Sequence, residues 1–214
     1  MSAAVVSTMR AMGRWEPNAR GRLEQAAMEL YGERGFDQTT VAEIAARAGL
    51  TERTFFRHYA DKREVLFAGS EMLAELLVAA VAGAPASARP LDAVAAALEE
   101  VGALIQESRG RDFARTRRSI IAANAELQER ELIKLASWAD TLAGALRDRG
   151  VGDPAATLAA ETGIAVFRVA FDRWVGDGND RDLSALIRES LGELKALTAE
   201  ERQPATVNAH TPSL

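Results

Sequence analysis

Leu23, Ala26, Ala27, Leu30 and Tyr31 recur at spacings of three and four, which predicts a helix from about Asn18 to Arg34. Gly35 stands where a C′ glycine would end it, and Phe36 can fold back onto the same core. Thr40 then precedes Val41-Ala42-Glu43, so Thr40 reads as an N-cap with Glu43 completing a capping box. The short helix Val41–Ala48 would bury Val41, Ile44 and Ala45, and Gly49 breaks it. Thr51 caps a further helix with Thr54 at its third position, and Phe55 and Tyr59 sit at i and i+4. Asp61 is expected to cap one long fourth helix carrying Val65, Leu66, Met72, Leu73, Leu76, Leu77 and Val81.

The stretch Gly83-Ala84-Pro85-Ala86-Ser87-Ala88-Arg89-Pro90 is a linker by composition. Beyond it helices are expected near 91–107, 111–123, 125–149, 154–175 and 182–197, with breaks at Gly110, around Asn124, at 150–154 and at 176–180. Asp153 as N-cap with Pro154 at N1 is the sharpest start signal among them. The fold class is therefore all-α: an N-terminal three-helix helix-turn-helix domain followed by a second helical domain, about nine helices. The expected organisation is an arm over 1–16, a helix-turn-helix domain over 17–67, a second helical domain over 68–197 and a disordered tail over 198–214.

Composition narrows the chemistry. The chain has 214 residues, 48% of them hydrophobic, which is enough to bury a core without staples. It contains no cysteine, so a disulfide framework, a thiolate zinc site and a cysteine nucleophile are excluded. No run of 18 or more apolar residues occurs, and no signal peptide is read, so a cytoplasmic protein with no membrane partner is expected. The net charge of −5 argues against nucleic acid until its distribution is considered. Residues 1–67 hold ten Lys/Arg against nine Asp/Glu, while the remainder is acidic, and Arg47, Arg53, Arg57, Lys62 and Arg63 cluster within 47–63. That local patch is where phosphates would be met.

Thr39–Leu66 carries the function: two short helices around Ala48-Gly49-Leu50 form a helix-turn-helix whose second helix would enter a major groove. Thr40, Ile44-Ala45, Ala48-Gly49, Thr51, Phe55-Phe56, His58-Tyr59 and Lys62 stand in one register, and in this register the segment resembles the DNA-binding domain of the TetR family over about residues 18–68. The resemblance implies that Thr40, Thr51, Glu52, Arg53, Phe56, Arg57, His58 and Lys62 contact DNA. Thr40, His58 and Lys62 would hold phosphates, Arg53 would pair with guanine, and Glu52 would accept from cytosine. Phe56 departs from the tyrosine common at that place and loses a hydroxyl contact to phosphate. Arg10, Arg14 and Arg20 would reach the adjacent minor groove.

In the same family the later helices form an effector pocket and the last two a dimer bundle. The candidate pocket residues are Phe113, Arg117, Trp138, Phe167, Arg168 and Phe171. The candidate dimer residues are Leu158, Gly163, Val166, Leu183, Ile187 and Leu191. The expected partners are a double-stranded DNA operator, a small-molecule effector and a second copy of the chain. The expected activity is a ligand-released repressor, with no catalytic residues, no metal and no cofactor. Its histidines are His58 and His210, and no phosphate-cradling glycine loop is read, so an enzyme is disfavoured. The alternative is a helical small-molecule-binding or protein-interaction module without specific DNA binding.

Overall fold

The computed structural model describes residues 19–199. Arg10, Arg14, His210, the 1–16 arm and nearly all of the 198–214 tail lie outside them. Within the described residues the chain is helical: α1 (Ala19–Arg34), α2 (Val41–Arg47), α3 (Glu52–His58), a 3-10 turn (Glu64–Phe67), α4 (Ser70–Gly83), α5 (Pro90–Ala122), α6 (Ala125–Asp148), α7 (Ala155–Val175) and α8 (Leu183–Thr198).

The N-terminal pattern folds as its spacing dictates. Leu23, Ala27, Leu30 and Tyr31 of α1 are buried, and Phe36 folds back so that its ring meets Tyr31 edge-on at 5.3 Å. Buried Thr39 donates to the carbonyls of Gly35 and Leu30, which satisfies acceptors that the end of α1 leaves open. Thr40 and Glu43 form a reciprocal capping box at the start of α2, and Thr51 accepts from the Thr54 N–H at the start of α3.

Two expectations are corrected. The fourth helix is not continuous from Asp61. Asp61 accepts from the N–H groups of Arg63 and Glu64 and starts only the 3-10 turn, after which Gly69 at φ 85° resets the chain into α4. The break expected at Gly110 is present: at φ 73°, ψ 167° this residue is non-helical, so α5 consists of two helices meeting at a kink, as expected near 91–107 and 111–123. Among the described residues eight α-helical elements are delimited, and with α5 divided at Gly110 they make nine helical segments, in line with the expected number of about nine. Asp153 does not cap α7, because its carboxylate is taken by the Arg147 guanidinium and the Thr157 hydroxyl.

Glu64–Gly83 is apolar enough by length and composition to cross a membrane. It is broken at Gly69, carries Glu64, Glu71 and Glu75, and buries Leu77, Ala80 and Val81, so it is read as a core helix.

Two apolar cores result. The larger joins α4–α8 around Leu77, Val94, Leu98, Val101, Leu142, Leu146, Trp174 and Leu183. Side chains of this size each contribute about 1.5–3 kcal/mol on burial. Close approach is built in by glycine. A Cβ on Gly163 of α7 would lie 2.3 Å from Val94 Cγ1, and one on Gly102 of α5 would lie 2.8 Å from Ile187 Cδ1. The smaller core joins α1–α3 and the 3-10 turn, and it also takes in Ile120, Ile121 and Leu127 from beyond the Gly110 kink. The first half of α5 thus packs in the larger core, and the second half joins both, with Ile120 and Ile121 in the smaller core and Ala114, Arg115 and Arg118 against the larger core and the end of α7.

Candidate nucleic-acid interface

The helix-turn-helix is held by a small set of contacts. Gly49 takes φ 66°, a left-handed angle that a side chain would resist, and Leu50 N–H returns to the Ala45 carbonyl at 2.8 Å. Ile44 and Phe55 are fully buried where α2 and α3 cross, and Phe55 stacks on Tyr59 at 5.6 Å. With Phe55 locked inward, α3 turns Glu52, Arg53, Phe56 and Arg57 to solvent. Phe56 is 56% exposed, a large ring that the fold does not cover.

Charge pairing decides which cations are available. Arg47 is held by Glu29 and Glu33, Arg34 by Glu43, and Arg63 by Asp61 and Glu126. The hydrogen bond from Arg47 holds the Glu33 carboxyl below its ordinary range. Arg53 and Arg57 make no ion pair or hydrogen bond among the described residues, so the recognition helix carries the uncommitted positive charge of this face.

Several expected DNA contacts are placed differently. Lys62 is turned onto its own domain: its ammonium donates to the carbonyls of Phe36 (2.8 Å), Asp37 (3.3 Å) and Thr39 (2.9 Å) and lies 4.3 Å from the Phe36 ring centre. All three of its donors are used, so it clamps the α1–α2 loop. The hydroxyl and backbone N–H of Thr40 both engage Glu43, and its exposed side chain serves the cap. The Nε2 of His58 is buried and unpartnered among the described residues, so only its Nδ1 edge could meet a phosphate. Arg20 lies over the Tyr59 ring at 5.6 Å and 3.7 Å from Glu24. Thr51 is exposed with its hydroxyl shared with Thr54.

Two residues escaped sequence reasoning. Arg22 of α1 lies against the Gly49 turn, with Nη1 3.8 Å from where a Cβ on Gly49 would stand and with a buried, unpartnered Nε. Glu24 is a buried carboxylate bound by Tyr59 Oη at 2.8 Å and by Arg109 at 2.7 Å. The signal for Glu24 was present: a charged residue directly beside Leu23 on the stripe that Ala27 and Tyr31 continue. Burial and the Glu24 charge and hydrogen bond raise the Tyr59 phenol well above its ordinary range.

In the effector helices, Trp138, Phe167, Phe171 and Trp174 form a chain of rings 5.7–5.9 Å apart. The Trp138 indole donates to the Ser70 carbonyl, while the fully buried Trp174 indole has no partner among the described residues. The other pocket candidates lie elsewhere. Phe113 packs on the N-terminal core and lines a surface cleft of about 300 Å³ with Met28, Glu29, Asp112 and Thr116. Arg117 donates to the Leu66 carbonyl of the 3-10 turn and pairs with Glu131 of α6, so it ties α5 and α6 to that turn. Arg168 is on the exposed face of α7.

Of the dimer candidates, Gly163, Val166, Leu183, Ile187 and Leu191 are buried within the single chain, with Gly163 against Val94 and Leu98 of α5 and with Leu183 and Ile187 against Gly102 of α5. Leu158 is 62% exposed, as is Val169 at 52%, one face further round α7.

Residues 24–68 match the family of bacterial regulatory proteins of the tetR family, and residues 88–199 match the MftR C-terminal domain. The chain is 38% identical over 82 residues to TcmR, an HTH-type transcriptional regulator of Streptomyces glaucescens, and this match covers 38% of the chain and 36% of TcmR. It is 27% identical over 184 residues to MftR of Mycobacterium tuberculosis, described as a mycofactocin biosynthesis transcriptional regulator, covering 85% of the chain and 89% of MftR. Among solved structures, SmeT, the repressor of the Stenotrophomonas maltophilia efflux pump SmeDEF, superposes in its triclosan complex. The TM-score is 0.57 at 21% identity, over 91% of this chain and 99% of that one, a likeness of fold. The matches cover the helix-turn-helix and the effector helices in turn, and the chain belongs to the TetR family of DNA-binding transcriptional regulators.

Proposed function

We propose that this regulator is a repressor that binds a palindromic operator as a homodimer and leaves it when a small molecule occupies the effector helices. The observation that carries the DNA reading is the outer face of α3, where Arg53 and Arg57 stand uncommitted beside Glu52 and exposed Phe56. Arg53 is suited to a bidentate pair with guanine and Glu52 to accepting from a cytosine amine, while Arg57 and Arg22 supply flanking phosphate contacts. The homodimer is supported by the outer face of α7, where Leu158 and Val169 leave apolar surface uncovered between Glu161, Arg168 and Asp172. A two-fold pair would place two recognition helices about 34 Å apart, one turn of DNA.

The effector is expected to be largely apolar with one hydrogen-bond acceptor, because the ring chain from Trp138 to Trp174 ends in an indole N–H that lacks an acceptor. The protein performs no catalysis and works in the cytoplasm, where its operator is. Footprinting on operator fragments tests the reading. Protection of two half-sites in successive major grooves, by a particle of twice the chain mass, is the expected result. Protection of one half-site by a single chain would refute the dimer.

A further inference from the structure

Three cationic attachments tie α5 and α6 to the N-terminal helices. Arg117 donates to the Leu66 carbonyl, Arg130 and Lys134 pair with Glu64 of the 3-10 turn, and Arg109 pairs with Glu24 of α1 at 2.7 Å. Arg117, Arg130 and Lys134 all follow the Gly110 kink, on the side whose residues Ile120, Ile121 and Leu127 share the N-terminal core. Arg109 alone of the four precedes the kink, on the side that packs with the effector helices. The Glu24 pair is therefore the attachment made from the first half of α5, ahead of the bend.

What it reaches is the recognition helix. Glu24 is 4% exposed, and its other oxygen accepts from Tyr59 Oη at 2.8 Å, where Tyr59 is the C-cap of α3. Arg109 also donates to the Ala68 carbonyl and lies 5.0 Å from the Phe113 ring centre, so its position is set on three sides. A carboxylate this buried must keep a cation, and half-exposed Arg20 at 3.7 Å is a weak substitute. Moving Arg109 away would strand the Glu24 charge and release the hydroxyl that anchors the end of α3.

We infer that Arg109 is a positioning residue for operator binding: through Glu24 and Tyr59 it fixes the recognition helix to the first half of α5, ahead of the Gly110 kink. This rests on the repressor reading for its consequence in the cell, but the latch itself is a property of the free protein. A shift of the first half of α5 would withdraw the guanidinium, and the orientation of α3 would relax without loss of any DNA contact.

The test uses the full chain and the variants Arg109→Met, Arg109→Lys and Tyr59→Phe. Operator affinity is measured against salt on the fragment that the wild-type protein selects from genomic DNA. Thermal opening of residues 19–67 is followed by amide exchange, and Trp138 and Trp174 fluorescence follows the effector helices. Arg109→Met should weaken operator binding about tenfold, a typical coupling between sites, with the salt slope unchanged because no phosphate contact is lost. Residues 19–67 should open at lower temperature while the tryptophan midpoint stays in place, Tyr59→Phe should reproduce the affinity loss in part, and Arg109→Lys should restore it. Wild-type affinity and exchange in Arg109→Met would overturn the inference. So would a loss accompanied by a slope lowered by about one, since Arg109 would then be a phosphate ligand. Failure of the wild type to select any fragment would overturn the repressor reading alone, and the exchange arm would still decide the latch.

Discussion

Replacing Lys62 by methionine separates two roles that a sequence cannot distinguish. The side chain keeps its apolar stem and loses the ammonium that donates to the Phe36, Asp37 and Thr39 carbonyls. A charged hydrogen bond contributes roughly 1.5–3 kcal/mol net, and two of the three acceptors are partly shielded while the third is open to water. After allowance for solvent at a half-buried ammonium, the loss is about 2 kcal/mol. For a chain of this length that corresponds to a fall of about 4–8 °C in melting temperature. The assay pairs a thermal melt with a salt titration of operator binding. The structure predicts a lowered melting temperature and an unchanged salt slope, because Lys62 neutralises no phosphate. An unchanged melting temperature with a slope lowered by about one would show that Lys62 leaves the loop to bind DNA, and the clamp would be refuted.

Other perturbations follow from the same geometry. Gly163→Ala puts a methyl 2.3 Å from Val94 Cγ1 and should destabilise the effector helices by about 1–3 kcal/mol, read from a urea midpoint followed by tryptophan fluorescence. Thr40→Val removes the cap of α2 and should cost about 1 kcal/mol, with weaker operator binding; equal stability would mean that the capping box contributes nothing. The Thr40 backbone N–H and hydroxyl, with Arg34, hold the Glu43 carboxyl below its ordinary value of 4.5. Its stabilisation is therefore complete above that value and is lost as pH falls through the lower folded-state value, and a pH-dependent melt of Glu43→Gln should be flatter than wild type in that acidic window.

The parts of the fold written in local rules were legible. The cap of α2 needed Thr40 and Glu43, the turn needed Gly49, and both follow from neighbours within three residues. The face of α3 was legible too, because fixing Phe55 inward leaves Arg53, Phe56 and Arg57 outward. What depends on distant partners was not. Leu183 and Ile187 form the same apolar stripe whether it meets a second copy or α5, and their close approach to α5 depends on Gly102, which carries no side chain to announce it. Lys62 reads as a free cation until the carbonyls of residues 36, 37 and 39, more than twenty positions earlier, close around it. Arg117 and Phe113 read as pocket residues because the kink at Gly110, which sends them to the other core, shows in the sequence only as a glycine.

The central claim is sequence-specific DNA binding through the outer face of α3. The most direct measurement is selection of genomic fragments by the purified chain at fixed salt, with wild type beside Arg53→Ala. The wild-type protein should enrich one palindromic site, and the variant should lose about 1–3 kcal/mol at each half-site, with weak unspecific retention left intact. Uniform salt-sensitive retention by both proteins, with no site enriched, would contradict it.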